Sequence, residues 1–159
     1  MNKNLALFWK QGLGAICQTC QECDFCAKGI DDSCAQRAFA CFANTKDETG
    51  ERVHHGGFSS FIRTDGRMLC KIPDGLQEEY VGPLMCAGAT VFEPIRTFFD
   101  GTDGSGKTVG VVGLGGLGHL AVQFADKMGA KVVSFSRGTS KTEFAKELGA
   151  DSLVDTTNE

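Results

Sequence analysis

Residues 108–136 read TVGVVGLGGLGHLAVQFADKMGAKVVSFS, and the order of apolar and glycine residues there decides the fold. Thr108–Val112 is a short β-rich run that leads into Gly113, Leu114, Gly115, Gly116, Leu117 and Gly118, a G-x-G-x-x-G turn. Beyond it Leu120, Val122, Phe124, Ala125 and Met128 recur at helical spacing until Gly129, and KVVSFS, 131–136, is again β-rich. Strand, helix and strand make a βαβ unit of about 30 residues, the setting in which a G-x-G-x-x-G turn is specific for a dinucleotide. Gly113 allows the tight turn, Gly115 lets a pyrophosphate approach the backbone, and Gly118 lets the helix pack closely on the strand. The expected fold is α/β with a dinucleotide cradle over 113–118.

A second phosphate pattern overlaps the first. Gly101, Gly106, Lys107 and Thr108 fit G-x-x-x-x-G-K-[ST], the triphosphate P-loop. That loop needs a strand before it and a helix after it, so that the helix N-terminus faces the phosphates. Upstream lies EPIRTFFD, 93–100, with Ile95, Phe98 and Phe99 at helical spacing, and downstream lies the strand from Thr108. The order is reversed. Residues 101–106 read as a flexible connection with no phosphate role.

The end of the second strand selects the dinucleotide. An NAD site places an acidic residue there to bond the ribose 2′-hydroxyl. This chain has Ser136 and Arg137, then Lys141, and no acid before Glu143. A carboxylate repels a 2′-phosphate, whereas Arg137 and Lys141 can pair with one, so NADP(H) is favoured over NAD. The competing reading is a solvated basic turn.

Five of the eight cysteines lie within 17–34, and Cys20, Cys23, Cys26 and Cys34 follow C-x2-C-x2-C-x7-C. Thiolates at this spacing can converge on one zinc in a closed tetrahedron, which makes the metal structural rather than catalytic. The surrounding Gln21, Glu22, Asp24, Lys28, Asp31 and Asp32 are too polar to form a core, so the metal would be the core. Two alternatives stay open. Disulfides suit a secreted protein, but cysteines three apart seldom pair without strain. An iron–sulfur site shares the C-x2-C-x2-C opening but needs its fourth cysteine three residues on, followed by proline; here the gap is seven and Ala35 follows.

A length of 159 residues allows one domain with a real core. The net charge of -4 and scattered basic residues offer no field for nucleic acid. The N-terminal MNKNLALFWK has an apolar run of five residues before Lys10, too short for a signal segment or a membrane span. A soluble, cytoplasmic protein is expected.

These elements in this order resemble the zinc-dependent medium-chain alcohol dehydrogenases, nearest the branch of cinnamyl alcohol dehydrogenase and related NADP-dependent aldehyde reductases. The matching stretches are GLGAICQTCQECDFC, HHGGFSSFI, KIPDGL, PLMCAGATVFEPI, the βαβ unit through Arg137, and KELGADSLVD. The resemblance implies part of a GroES-like β-rich catalytic domain followed by the first half of a Rossmann domain, over 12–75 and 101–159, joined by a helical link over 76–100. It also implies two zincs, NADP(H), a small alcohol or aldehyde substrate and, in the complete family fold, a homodimer. Cys86 sits where the family has the last ligand of its catalytic zinc, and Thr90 matches a cofactor contact. Without the resemblance Cys86 reads as a core thiol on an apolar helix. Pro83 suits the first turn of that link's second helix.

The departures matter as much. The family's G-x-C-H-[ST]-D and G-H-E motifs, which supply the other two catalytic ligands, do not occur in the sequence, nor does its G-D-x-V-G. The sequence reads as the central part of such an enzyme, ending at the third Rossmann strand and inactive by itself. His119 belongs with the cofactor turn, His54 and His55 with a surface turn, and Cys17, Cys41 and Cys70 carry no role. The rival function is a non-catalytic, zinc-stabilised NADP-binding module. A zinc-free reductase of the same superfamily is disfavoured by Cys86 and the four-cysteine lobe.

Overall fold

The computed structural model of the chain describes residues 5–7, 13–14, 17–36, 38–39, 49–50, 63–65 and 69–157. The chain divides into two units, Met1–Met85 and Cys86–Glu159. His54, His55 and the surface turn expected at them, together with Cys41, lie outside the described residues.

The described part of the first unit is built from short antiparallel pairs. Strand β1 (Leu5–Leu7) pairs with β5 (Arg63–Asp65), β2 (Leu13–Gly14) with β6 (Cys70–Lys71), and β3 (Cys17–Gln18) with β4 (Ala38–Phe39). Between β3 and β4 lies a lobe made of one helical turn, α1 (Asp24–Ala27), and a 3-10 turn, Asp31–Ser33. No residue of α1 is buried.

Helix α2 (Glu78–Pro83) runs on into a π-helical stretch, Leu84–Gly88, and then into α3 (Ala89–Phe98). Pro83 closes α2 instead of opening a second helix, which corrects the sequence reading. The widened turns lie between Pro83 and Pro94, the two positions where this run has no N–H to give.

The second unit holds a three-stranded parallel sheet in the order β7 (Thr108–Val112), β8 (Lys131–Ser136), β9 (Ser152–Asp155). Register runs from Thr108↔Lys131 to Val112↔Phe135, and from Val133↔Ser152 to Ser136↔Asp155. Parallel neighbours need crossovers, supplied by α4 (Gly116–Lys127) and α5 (Thr142–Glu147). Both strands of the expected βαβ unit have the bounds read from the sequence. The helix starts at Gly116, which places His119 in its first turn.

The core follows from the two periodicities. Val122 and Ala125 of α4 meet Val111 and Val132 of the sheet, joined by Ile95, Phe99, Leu114 and Ala145. Ile95 and Phe99 are four apart and share the inward face of α3, while Phe98 is 62% exposed. The sequence had set all three on one face; Phe98 is the correction. Lys107 explains where it goes. Its ammonium lies 5.4 Å from the Phe98 ring centre and 5.0 Å from that of Phe99, and it donates to the Phe98 carbonyl at 3.3 Å. The cation therefore sits at the C-terminal end of α3, where the helix dipole favours it.

Residues 101–106 are not the loose connection expected. Gly104 is buried, its N–H bonds the Met128 carbonyl at 2.6 Å, and a Cβ there would lie 2.7 Å from the Ala130 nitrogen. Helix, fixed turn, strand is the order observed, so the P-loop pattern has no P-loop context. Among the described residues no helix is long and apolar enough to cross a membrane.

Candidate metal lobe and nucleotide cradle

In the first unit the chain returns Cys34 to the Cys20–Cys26 turn, and the four Sγ atoms all lie within 4.8 Å of one another. Cys20 and Cys26 are 3.9 Å apart, Cys23 and Cys26 3.6 Å, and Cys34 and Cys20 3.6 Å. Four sulfurs about 2.3 Å from one tetrahedral ion stand about 3.8 Å from each other, so the cage fits a single zinc. These distances are far beyond a disulfide bond, and all four thiols are free. A multi-iron cube would hold the sulfurs farther apart.

Local chemistry prepares the cage. Gln21 takes φ +60, a left-handed value rare outside glycine. Its amide donates to the Thr19 hydroxyl at 2.6 Å and to Asp31 Oδ1 at 3.2 Å. That turn aims the Glu22 and Cys23 N–H groups at Cys20 Sγ, at 3.5 and 3.3 Å. These two donors pull the Cys20 thiol down to about 6. Burial pushes the Cys26 thiol up to about 12 against hydrogen bonds from Thr19 and the Gln21 backbone. The lobe thus presents a ready thiolate and a thiol that ionises once a cation stands beside it. The sequence pattern named the ligands but not the Thr19–Gln21–Asp31 network, because no propensity puts glutamine in a left-handed turn.

In the second unit the glycine turn joins β7 to α4. Gly113 has φ +86 and donates its N–H to the Phe135 carbonyl at 2.8 Å. Beside Gly113, Gly115 and Gly116 an added Cβ would meet nothing within 4 Å. The N-cap of α4 is Gly115, which has no side chain to cap the helix, so the first-turn N–H groups have no side-chain partner. Donors without a cap beside an open backbone face fit a pyrophosphate. His119 is four residues along, its Nδ1 3.1 Å from the Gly115 carbonyl. Leu114 is buried in the core, whereas Leu117 is 50% exposed beside the open face.

The basic residues lie on the loop after β8. Arg137 is exposed, with no described carboxylate partner. Lys141 reaches back to the glycine turn and donates to the Leu114 carbonyl at 3.1 Å, so the loop and the turn belong to one site. Ser136, at the end of β8, has its carbonyl bonded by the Thr156 N–H at 3.0 Å. Asp155, absent from the sequence reading, accepts the Gly138 N–H at 2.7 Å. Its D-T-T context announces a local Asx turn; the bond across seventeen residues has no sequence signal.

Cys86 is exposed on the widened helical turn, so the core-thiol reading is corrected. Thr90 donates its hydroxyl to the Cys86 carbonyl at 2.8 Å. Among the described residues the four-cysteine cage is the one cluster with metal-ligand geometry, and Cys86 is not part of it. The donor set around Cys86 does not fit a second zinc by itself.

Residues 116–159 match the zinc-binding dehydrogenase family. The chain is 39% identical over 148 residues to cinnamyl alcohol dehydrogenase 2 of Arabidopsis thaliana, covering 92% of the chain and 39% of that protein. Its fold is similar to a cinnamyl alcohol dehydrogenase of Sorghum bicolor, with TM-score 0.76, 31% identity, and coverage of 93% of this chain and 42% of that one. It is also similar to the CAD of Helicobacter pylori complexed with NADP(H), with TM-score 0.71, 32% identity, and coverage of 88% and 39%. The chain spans about two fifths of the length of the curated relatives it matches.

Proposed function

We propose that the chain, which is similar to zinc-dependent medium-chain alcohol dehydrogenases, carries the NADP(H) cradle and structural zinc lobe of an enzyme interconverting small alcohols and aldehydes. The observation that carries this reading is the open, uncapped glycine turn with Lys141 tied to it and Arg137 on the same loop. When bound, NADP(H) supplies or accepts the hydride.

The chain's own residues bind and orient. The turn over Gly113–Gly118 offers backbone N–H groups to the pyrophosphate, and the absence of Cβ atoms lets it approach. Ser136, Arg137 and Lys141 take the 2′-phosphate, and Thr90 adds a further cofactor contact. Cys20, Cys23, Cys26 and Cys34 hold a zinc that stiffens the lobe. Cys86 would contribute one ligand to a catalytic zinc, but the described residues do not complete that site. In this reading residues 12–75 belong to the catalytic domain, 76–100 to the link and 101–159 to the cofactor domain. Free thiols in the cage support a cytoplasmic setting, where cysteines stay reduced.

The test is titration with NADPH and NADH by nucleotide fluorescence. A charge-assisted pair with the 2′-phosphate is worth roughly 1.5–3 kcal/mol, so NADPH should bind about ten- to a hundredfold more tightly, and Arg137→Ala should remove most of that margin. Equal affinities would refute the cofactor assignment. The isolated position of Cys86 favours a second reading, a non-catalytic NADP-binding module. Aldehyde reduction by the zinc-loaded protein would overturn the module reading; because the described residues do not complete the catalytic zinc site, NADPH binding without turnover is expected in either case.

A further inference from the structure

The loop that carries Arg137 is held by the end of the neighbouring strand. The Thr156 N–H bonds the Ser136 carbonyl at 3.0 Å, and Asp155 Oδ1 accepts the Gly138 N–H at 2.7 Å. Arg137 is thus bracketed by two backbone positions, both fixed by β9 and its extension. Gly138 takes φ +74, so the chain reverses there. The same Oδ1 accepts the Thr157 N–H at 3.0 Å and the Thr157 hydroxyl at 2.8 Å. A third tether, Lys141 to Leu114, fixes the far end of the loop on the glycine turn.

We propose that Asp155 is a positioning residue for recognition of the 2′-phosphate, its carboxylate fixing the Gly138 turn so that Arg137 is presented beside the glycine cradle. This rests on the NADP(H) reading. An exposed arginine loses rotamer freedom when it pairs with an anion, and a loop free to move adds its own ordering cost. Fixing the backbone on both sides of Arg137 removes the second cost before the ligand arrives. A carboxylate near a phosphate is ordinarily unfavourable. Here three donors converge on one oxygen and hold the carboxyl below its usual value, which spreads its charge into the turn and away from the ligand. The contribution is therefore specific to the phosphorylated cofactor: NADH makes no use of Arg137.

The experiment compares NADPH and NADH affinities of the full chain with those of Asp155→Ala and Asp155→Asn, alongside thermal unfolding. Loss of one positioning hydrogen bond should lower the NADPH:NADH affinity ratio about three- to tenfold in Asp155→Ala. Asp155→Asn keeps the acceptor oxygen and should hold the ratio within about twofold. If Asp155→Ala does not fold, Asp155→Glu, with the oxygen displaced by one methylene, is read in the same way. An equal loss for both nucleotides means a purely structural role and overturns the proposal, as does tighter NADPH binding in Asp155→Ala. If the unsubstituted chain shows no NADPH preference, the cofactor reading falls and this one with it. A preference that survives Asp155→Ala and Asp155→Glu removes only the role of Asp155.

Discussion

A Cβ placed on Gly118 would land on the carbonyl oxygen of Gly113 and lie 2.9 Å from its carbonyl carbon. Helix α4 and the end of β7 touch backbone to backbone at that point, and neither side can yield by rotating a side chain. Gly118→Ala should therefore cost stability near the upper end of the about 1–3 kcal/mol typical of overpacking. Gly116→Ala is the counterpart. Its Cβ meets nothing within 4 Å, so folding should be unharmed or slightly improved by helix propensity. The same methyl enters the cradle, and NADPH affinity should fall. Thermal unfolding and nucleotide titration of both variants check the pair. Equal stability losses would show that the closeness of Gly113 and Gly118 is not what fixes the helix.

The metal lobe makes a separate expectation. Among its residues with described burial, 19–31 and 33–36, Cys34 alone is buried, and α1 buries nothing. Without an ion there is no core to hold α1 and the Asp31–Ser33 turn together. The purified chain should carry about one zinc at the closed cage, and a strong chelator or Cys23→Ser should unfold the lobe while leaving the parallel sheet intact. Because the ligands must be thiolates, zinc affinity should fall as pH falls. Metal analysis with amide exchange of residues 19–36 checks this. Iron in place of zinc, or protection that survives chelation, would count against the cage.

Much of this was legible because it is written in local spacing. Strands β7 and β8 and the glycine turn are set by residue period and by glycine, both readable over about 30 residues. The cysteine cluster is legible for the same reason. What escaped depends on partners far along the chain. Phe98 leaves the core because Lys107, after a fixed turn, covers its ring. Pro83 ends α2 because a π-helical stretch follows, which no propensity announces. Asp155 had no place in the sequence reading, because only the parallel register Ser136↔Asp155 brings it against the loop after β8. Arg137 and Lys141 were read together as basic; that Lys141 is tied to the glycine turn is a fact of folding.

Gln21 offers a sharper test of the lobe. Its φ of +60 carries a cost of about 1–2 kcal/mol for a residue with a Cβ, offset by its bonds to Thr19 and Asp31. Gln21→Ala keeps the strain and loses both bonds, so zinc affinity should drop by about 1–2 kcal/mol, or five- to thirtyfold. Gln21→Gly loses the bonds but removes the strain, and should bind zinc about tenfold more tightly than Gln21→Ala. Competition with a chromophoric chelator measures both. An alanine variant equal to or better than the glycine variant would mean that the left-handed turn does not shape the cage.

The Asp155 carboxyl provides the acid limb of the second unit. Its pKa is held below the ordinary 3.8, first by the Thr157 hydroxyl, then by the Thr157 and Gly138 backbone N–H groups. The folded state therefore binds fewer protons here than the unfolded chain does, and stability rises with pH across the window between the lowered value and 3.8. Above 3.8 the contribution is complete; as pH falls through the folded value the carboxyl protonates and the contribution is lost. The Gly138 amide, bonded directly to Oδ1, should report that titration in its chemical shift, with a midpoint below 3.8. Thr157→Val removes the largest cause and should move the midpoint upward, toward the ordinary value, while the Gly138 bond remains. A midpoint at or above 3.8 in the unsubstituted chain, or one that Thr157→Val leaves unmoved, would show that the three donors do not converge on Asp155 in solution.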